Sequence, residues 1–225
     1  MLQKLKDNSR LHIVLIVALS CLFSLVLLAF RIWYADSWSM RFLVWNLFLA
    51  AIPFAISTSL LSRDIQKMGW LPFIITIGTW LLFFPNAPYI LTDMLHLHQR
   101  FHVPIWYDTL LMVSFAWNGF VMGLISLIDI QHIISEKTNK TVGWAFAFFA
   151  ICLGSFGIYL GRFDRWNSWD ILTNPLHLGG DISRQILHPN AHHQTIAVTM
   201  LFSIFIGIAY AMLRLLASGK IAARK

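Results

Sequence analysis

Six apolar stretches, each about as long as a bilayer-crossing helix, fill most of this 225-residue chain. A helix needs roughly 20 apolar residues to cross a hydrocarbon core about 30 Å thick. The stretches are Leu11–Phe30, Phe42–Leu61, Trp70–Ile90, Thr109–Ile130, Val142–Leu160 and Thr195–Leu216. They predict an all-α integral membrane protein, a bundle of six transmembrane helices forming one transmembrane domain over residues 1–225. Pro53 falls inside the second stretch and is expected to bend it, and Pro85 and Pro88 fall near the end of the third. One connection, residues 161–194, is much longer than the others, and long loops in compact proteins are often functional.

Composition agrees with the lipid reading. Only 12% of residues are charged and 58% are hydrophobic, whereas a soluble chain carries about a quarter charged residues. The net charge of +7 does not point to nucleic acid. The basic residues flank apolar stretches and form no long run, so insertion topology and anionic lipid account for them. Cys21 and Cys152 each lie within an apolar stretch, where a thiol behaves as a small apolar group. Lys4, Lys6 and Arg10 precede the first stretch as in a signal peptide. No small-residue cleavage site follows Phe30, however, so a retained membrane anchor is expected.

Orientation follows from the distribution of Lys and Arg. With six crossings, both termini share a side with the loops at 62–69 and 131–141. That side holds eleven of the 17 basic residues, and the opposite side holds Arg31, Arg41, Arg100, Arg162, Arg165 and Arg184. The expectation is therefore a plasma or inner-membrane protein with cytoplasmic N- and C-termini.

On the outer side lie six of the ten acids, among them Asp93, Asp108, Asp170 and Asp181, and seven of the nine histidines. The segment Arg162-Phe163-Asp164-Arg165-Trp166-Asn167-Ser168-Trp169-Asp170 interleaves arginine with tryptophan. If helical, Arg162 and Arg165 share a face. Arginine forks match phosphate or carboxylate, and tryptophan suits the headgroup layer. This segment, with Asn86 and Tyr89, is a candidate site for an anionic lipid or lipid-linked substrate. The plainer reading is an Arg/Trp belt that anchors a helix at the interface. Asp93, Asp108 and Asp170 are the candidate catalytic acids, because carboxylates beside apolar walls can be tuned for proton transfer.

A divalent metal is the second candidate chemistry. Asp93 and His96 are three residues apart and His98 and His102 four apart, spacings that suit one helical face, and His177 and Asp181 are further candidate ligands. No HExxH motif occurs, and solvated loop histidines are the plainer alternative. Asn46 and Asn118 lie within stretches, where an amide usually bonds between helices. Asp129 is placed at the cytoplasmic end of the fourth stretch, in reach of water, so no charge is expected at mid-membrane, which argues against an ion path. Gly119-x3-Gly123 and Gly157-x3-Gly161 allow close helix packing.

Three segments carry a resemblance: Phe84-Pro85-Asn86-Ala87-Pro88-Tyr89-Ile90-Leu91-Thr92-Asp93, Trp106-Tyr107-Asp108, and Tyr159-Leu160-Gly161-Arg162 continuing to Arg165-Trp166-Asn167-Ser168-Trp169-Asp170. Through them the chain resembles a bacterial family of multi-pass membrane proteins, domain of unknown function 1361. The resemblance implies a bacterial plasma or inner-membrane location and no particular activity. Three functions follow from the residues: an enzyme acting at the outer face on a lipid-linked or envelope substrate, an accessory protein whose outer acids and arginines form an ion-pair clamp, and a transporter or permease subunit.

Overall fold

The computed structural model describes residues 2–97, 103–187 and 193–217. Six long helices fall on the six apolar stretches: α1 (Leu2–Ala35), α2 (Phe42–Leu61), α3 (Trp70–Phe83), α5 (Ile105–Lys137), α6 (Lys140–Arg162) and α9 (His193–Ala217). Each lies in a segment long and apolar enough to cross a membrane. Between α3 and α5 come a single turn, α4 (Asn86–Tyr89), and a 3-10 helix over Ile90–His96. Between α6 and α9 come α7 (Asp170–Thr173) and α8 (Pro175–Leu187). Among the described residues there is no strand. The helices alternate in direction, so Leu2 and Ala217, the first and last described residues, lie at one end of the bundle, the termini end. The opposite end, called here the far end, carries α4, the 3-10 helix, α7 and α8.

Burial separates the helices. In α5, 67% of the most apolar stretch is buried inside the protein, against 11% in α1 and in α9. Helix α5 is the hub, packed on α1, α2 and α6. Two apolar cores flank it. One joins α3, α5, α6 and α9 through Trp80, Phe84, Leu127, Ile130 and Ile158. The other joins α2, α4 and α5 through Leu43, Leu47, Ala87, Ile90 and Phe115. The outward faces of α1 and α9 are apolar and exposed, for example Leu19, Val26, Leu201 and Ile208, as a lipid-facing helix requires.

The third stretch departs from its expected course. Trp70–Ile90 was expected as one helix, but regular α-helix stops at Phe83. Proline at 85 and 88 supplies no backbone N–H and clashes with the preceding turn, so the chain continues as the short α4 and the tighter 3-10 helix. This 84–90 segment is wedged between α5 and α6 at positions where both are glycine. A Cβ at Gly119 would lie 2.6 Å from Ile90 Cγ2, and one at Gly123 2.8 Å from Ala87 Cβ. A Cβ at Gly157 would lie 2.8 Å from Pro85 Cβ. The two GxxxG spacings thus seat one proline-rich segment between two helices.

Helix ends are set by local chemistry. The Asn139 side chain accepts a bond from the Val142 N–H at 3.0 Å and caps α6. At the last turn of α5, Lys137 Nζ donates to the carbonyls of Ile65 (2.9 Å) and Met68 (2.7 Å), which ties the α2–α3 loop to the termini end. Helix α2 remains helical through Pro53.

Candidate far-end site

The far end gathers the polar residues into two buried ion pairs and a cleft. The 3-10 helix presents Asp93, only 2% exposed, to α6. Arg162, the last residue of α6, donates from Nη2 to Asp93 Oδ1 at 2.6 Å and from Nε to Thr92 Oγ1 at 2.8 Å. Its guanidinium lies 4.7 Å from the centre of the Tyr89 ring. Asn46 of α2 donates to the other oxygen of Asp93 at 2.7 Å. One carboxylate therefore joins three elements.

Asp108, in the first turn of α5, makes the second pair. Arg31 of α1 grips it with both arms of its fork, Nε at 2.9 Å and Nη2 at 3.2 Å. Both side chains are almost wholly buried, and Arg31 Nη1 also donates to Ser39 Oγ at 3.0 Å. In the sequence Arg31 counted only as an outer-side topology charge; its role as the partner of Asp108 was missed.

Asp170 is in neither pair. It starts α7 and accepts from the Asn167 backbone N–H at 2.6 Å and from Thr173 Oγ1 at 3.2 Å, which closes the turn before the helix. Arg165 corrects an expectation. Helix α6 ends at Arg162, and Arg165 has φ 60°, so it leaves the helix and is exposed. The two arginines do not share a face.

Beside the Asp93–Arg162 pair opens a cleft of about 500 Å³ between α2, α3, α6 and α8. Its walls are largely apolar, with Leu81, Leu82, Phe156, Leu160 and Ile182. Its polar groups are neutral: Asn46, Asn86, Tyr89, Trp166, Asn167 and Ser168. Asn86 Nδ2 donates to Ser168 Oγ at 2.8 Å, and Ser168 Oγ donates to the Leu82 carbonyl at 3.0 Å. That chain pins the 167–169 turn onto the end of α3. Trp166 Nε1 donates to Asp181 Oδ2 at 3.1 Å and so ties α8 to the cleft. Trp169 packs edge-on against Trp45, ring centres 6.2 Å apart.

The expected metal ligands do not converge where the structure describes them. His177 is exposed on α8, and Asp181 is paired with Arg184 at 2.7 Å. The side chain of His96, and His98 and His102 entirely, lie outside the described residues. Among the described residues no group of three or more His, Cys, Asp or Glu is arranged to hold a metal.

At the termini end, a further cluster departs from expectation. Asp129, expected to reach water, is 9% exposed. It pairs with Arg10 Nη2 at 2.8 Å and accepts from Ser57 Oγ at 2.8 Å, and Arg10 also bonds Thr58. Two residues on, Gln131 binds Tyr210 and Arg214 of α9. Asn118, at mid-helix, donates to Ser24 Oγ at 2.8 Å and the Ser20 carbonyl at 3.0 Å on α1, the interhelical use expected of an intramembrane amide.

Fold and site together define a multi-pass helical membrane protein with a clamped polar cluster and a lateral cleft at one end. The model of the family described as protein of unknown function DUF1361 matches residues 45–209, and the chain belongs to that family. No curated protein and no solved structure matches it.

Proposed function

We propose that this is a plasma-membrane protein that takes the head of a lipid-linked or similarly amphiphilic molecule into the far-end cleft, on the extracytoplasmic side, while the neighbouring acids and arginines act as a clamp. One observation carries the reading: Asp93 and Asp108 are both engaged in buried pairs with arginine, while the open cleft beside the Asp93–Arg162 pair is lined by neutral amides, hydroxyls and indole against apolar walls. Apolar walls with a few convergent polar groups are the common form of a small-molecule site. Orientation rests on the excess of Lys and Arg at the termini end. Gly78 lines the cleft, and a Cβ added there would meet nothing within 4 Å. Gly78→Trp is expected to fill the cleft and abolish co-purifying lipid, measured by native mass spectrometry, in a protein that melts like the wild type. An identical lipid complement in both proteins would sink the reading.

An enzyme remains the second reading, and Asp170 favours it. This acid is half-buried, is paired with no cation among the described residues, and is flanked by the cleft-lining Asn167, Ser168 and Ile171. If Asp170→Asn reproduces the cellular phenotype of a deletion while the protein stays folded, an acid–base role displaces the binding role. If Asp170→Asn behaves as wild type, binding stands.

A further inference from the structure

A second cavity lies on the membrane flank between α6 and α9, about 860 Å³ in volume. Phe148, Ile151, Cys152 and Phe156 form one wall. Along α9 the other wall carries Thr195, Thr199, Ser203, Gly207 and Ala211, a stripe with one small residue per turn. Gln185 of α8 closes the far end. Small residues alone would mean no more than room for a neighbour.

The oxygens are the distinguishing observation. Thr195 Oγ1, Thr199 Oγ1, Ser203 Oγ and Gln185 Oε1 are buried and have no hydrogen-bond partner among the described residues. Thr195 is 5% exposed and Gln185 9%. Elsewhere in the spans hydroxyls turn back to the carbonyl three or four residues earlier, as Ser126, Thr76, Thr79 and Ser155 do. Thr199 and Ser203 do not. Gln185 uses its amide nitrogen on Asp164 at 2.5 Å, which leaves its oxygen, a pure acceptor, facing the groove. An unsatisfied buried polar atom costs roughly 1–3 kcal/mol, and here four line one cavity.

Polarity is graded along the groove. The orphaned oxygens occupy its far-end half, and beyond Ser203 the lining is apolar except for the protein backbone. From Thr195 to Ala211 is about 24 Å at 1.5 Å per residue, longer than one leaflet's share of a ~30 Å core. Helix α9 is otherwise lipid-facing, so lipid has direct access. We infer that this groove binds a single long apolar chain, lying along α9, whose head carries a hydrogen-bond donor that meets Gln185 Oε1 and Thr195 Oγ1. An isoprenoid alcohol and an acyl amide or alcohol share that chemistry. This site is distinct from the far-end cleft; Phe156 lines both.

The test uses full-length protein in phosphatidylcholine vesicles and two probes: a long-chain primary alcohol with a photoreactive diazirine at its tail, and the methyl ether of the same molecule, which cannot donate. Labelled peptides are mapped by mass spectrometry. The alcohol is expected to label α6 and α9 groove residues saturably, roughly three- to tenfold more than the ether, the worth of one net hydrogen bond. Thr195→Val with Gln185→Met should bring the alcohol down to the level of the ether. A Cβ at Gly207 would meet nothing within 4 Å, and Gly207 lines the groove, so Gly207→Trp should project into the groove and abolish labelling without lowering the melting temperature. Equal labelling by alcohol and ether in the wild type overturns the inference. So does labelling spread evenly over the exposed faces of α1 and α9, or a second copy of the chain crosslinked through the same α9 residues. Loss of this site leaves the far-end cleft intact, so the two readings fail separately.

Discussion

A buried carboxylate must find a cation or hydrogen-bond donors, and at Asp93 and Asp108 the partner determines which function remains open to it. Removing one member of a buried pair leaves an unbalanced charge and typically costs about 3–5 kcal/mol, whereas replacing both members with apolar groups is often neutral. Asp108→Asn and Arg31→Met are each expected to lower the thermal midpoint in detergent strongly. Arg31→Met combined with Asp108→Leu should recover much of the loss; a double variant as unstable as the singles would show that the pair does more than satisfy itself. The sequence pointed to both acids through their position at the outer ends of apolar stretches. It could not point to Arg31, because its partner lies 77 residues away and nothing local distinguishes a buried arginine from one that anchors a helix in headgroups. Arg165 misled for the opposite reason. Its spacing from Arg162 is helical, but spacing carries no information about where the helix ends.

At the scale of elements, the wedge of residues 84–90 sets the shape of the far end. It fits because α5 and α6 offer glycine where it presses closest. Overpacking a filled site typically costs about 1–3 kcal/mol. Gly119→Val and Gly157→Val are each expected to lower the melting temperature, while Gly207→Ala, in open space, should not. If all three melt alike in scanning fluorimetry, the wedge is not held by these glycines. Stretch boundaries were legible to within a few residues for α2, α6 and α9, where hydropathy changes abruptly. Helix α5 begins four residues earlier and ends seven later than its apolar stretch, because Asp108, Asp129 and Gln131 are satisfied inside the bundle and do not stop the helix. Prolines 85 and 88 marked where α3 fails, yet not that the broken chain would be wedged between α5 and α6. The amphipathic α8 was hidden within an expected loop, since its few apolar residues, Leu178 and Ile182 among them, are too sparse to register as a span.

For the whole molecule, side matters most. A cysteine at Leu172, 81% exposed on α7, is expected to react with a membrane-impermeant maleimide added to intact cells, in a background with Cys21 and Cys152 replaced by serine. A cysteine at Lys67 should react only after permeabilisation. The reverse pattern would put both termini outside and move the proposed ligand to the cytoplasmic leaflet. The apolar stretches fixed the number of crossings and their alternation, because lipid demands length and hydropathy of every span alike. Which helix is central was not legible in the same terms, since α1 is the most apolar of the six segments and yet among the least buried.

Helix α1 touches α5 through polar pegs at three depths: Arg10 on Asp129, Asn118 on Ser20 and Ser24, and Arg31 on Asp108. In time rather than space, this makes α1 a helix that must wait. Every peg has its other half in α5, so a nascent chain that has inserted α1, α2 and α3 holds two arginines with no acid yet to receive them. Each can shelter only by reaching for headgroups or water at the membrane surface. Docking of α1 therefore waits for the arrival of α5 and the withdrawal of both guanidiniums from the two interfaces. A chain stalled before Asp108 is expected to leave α1 loose in the bilayer, open to quality-control proteases that the finished bundle resists.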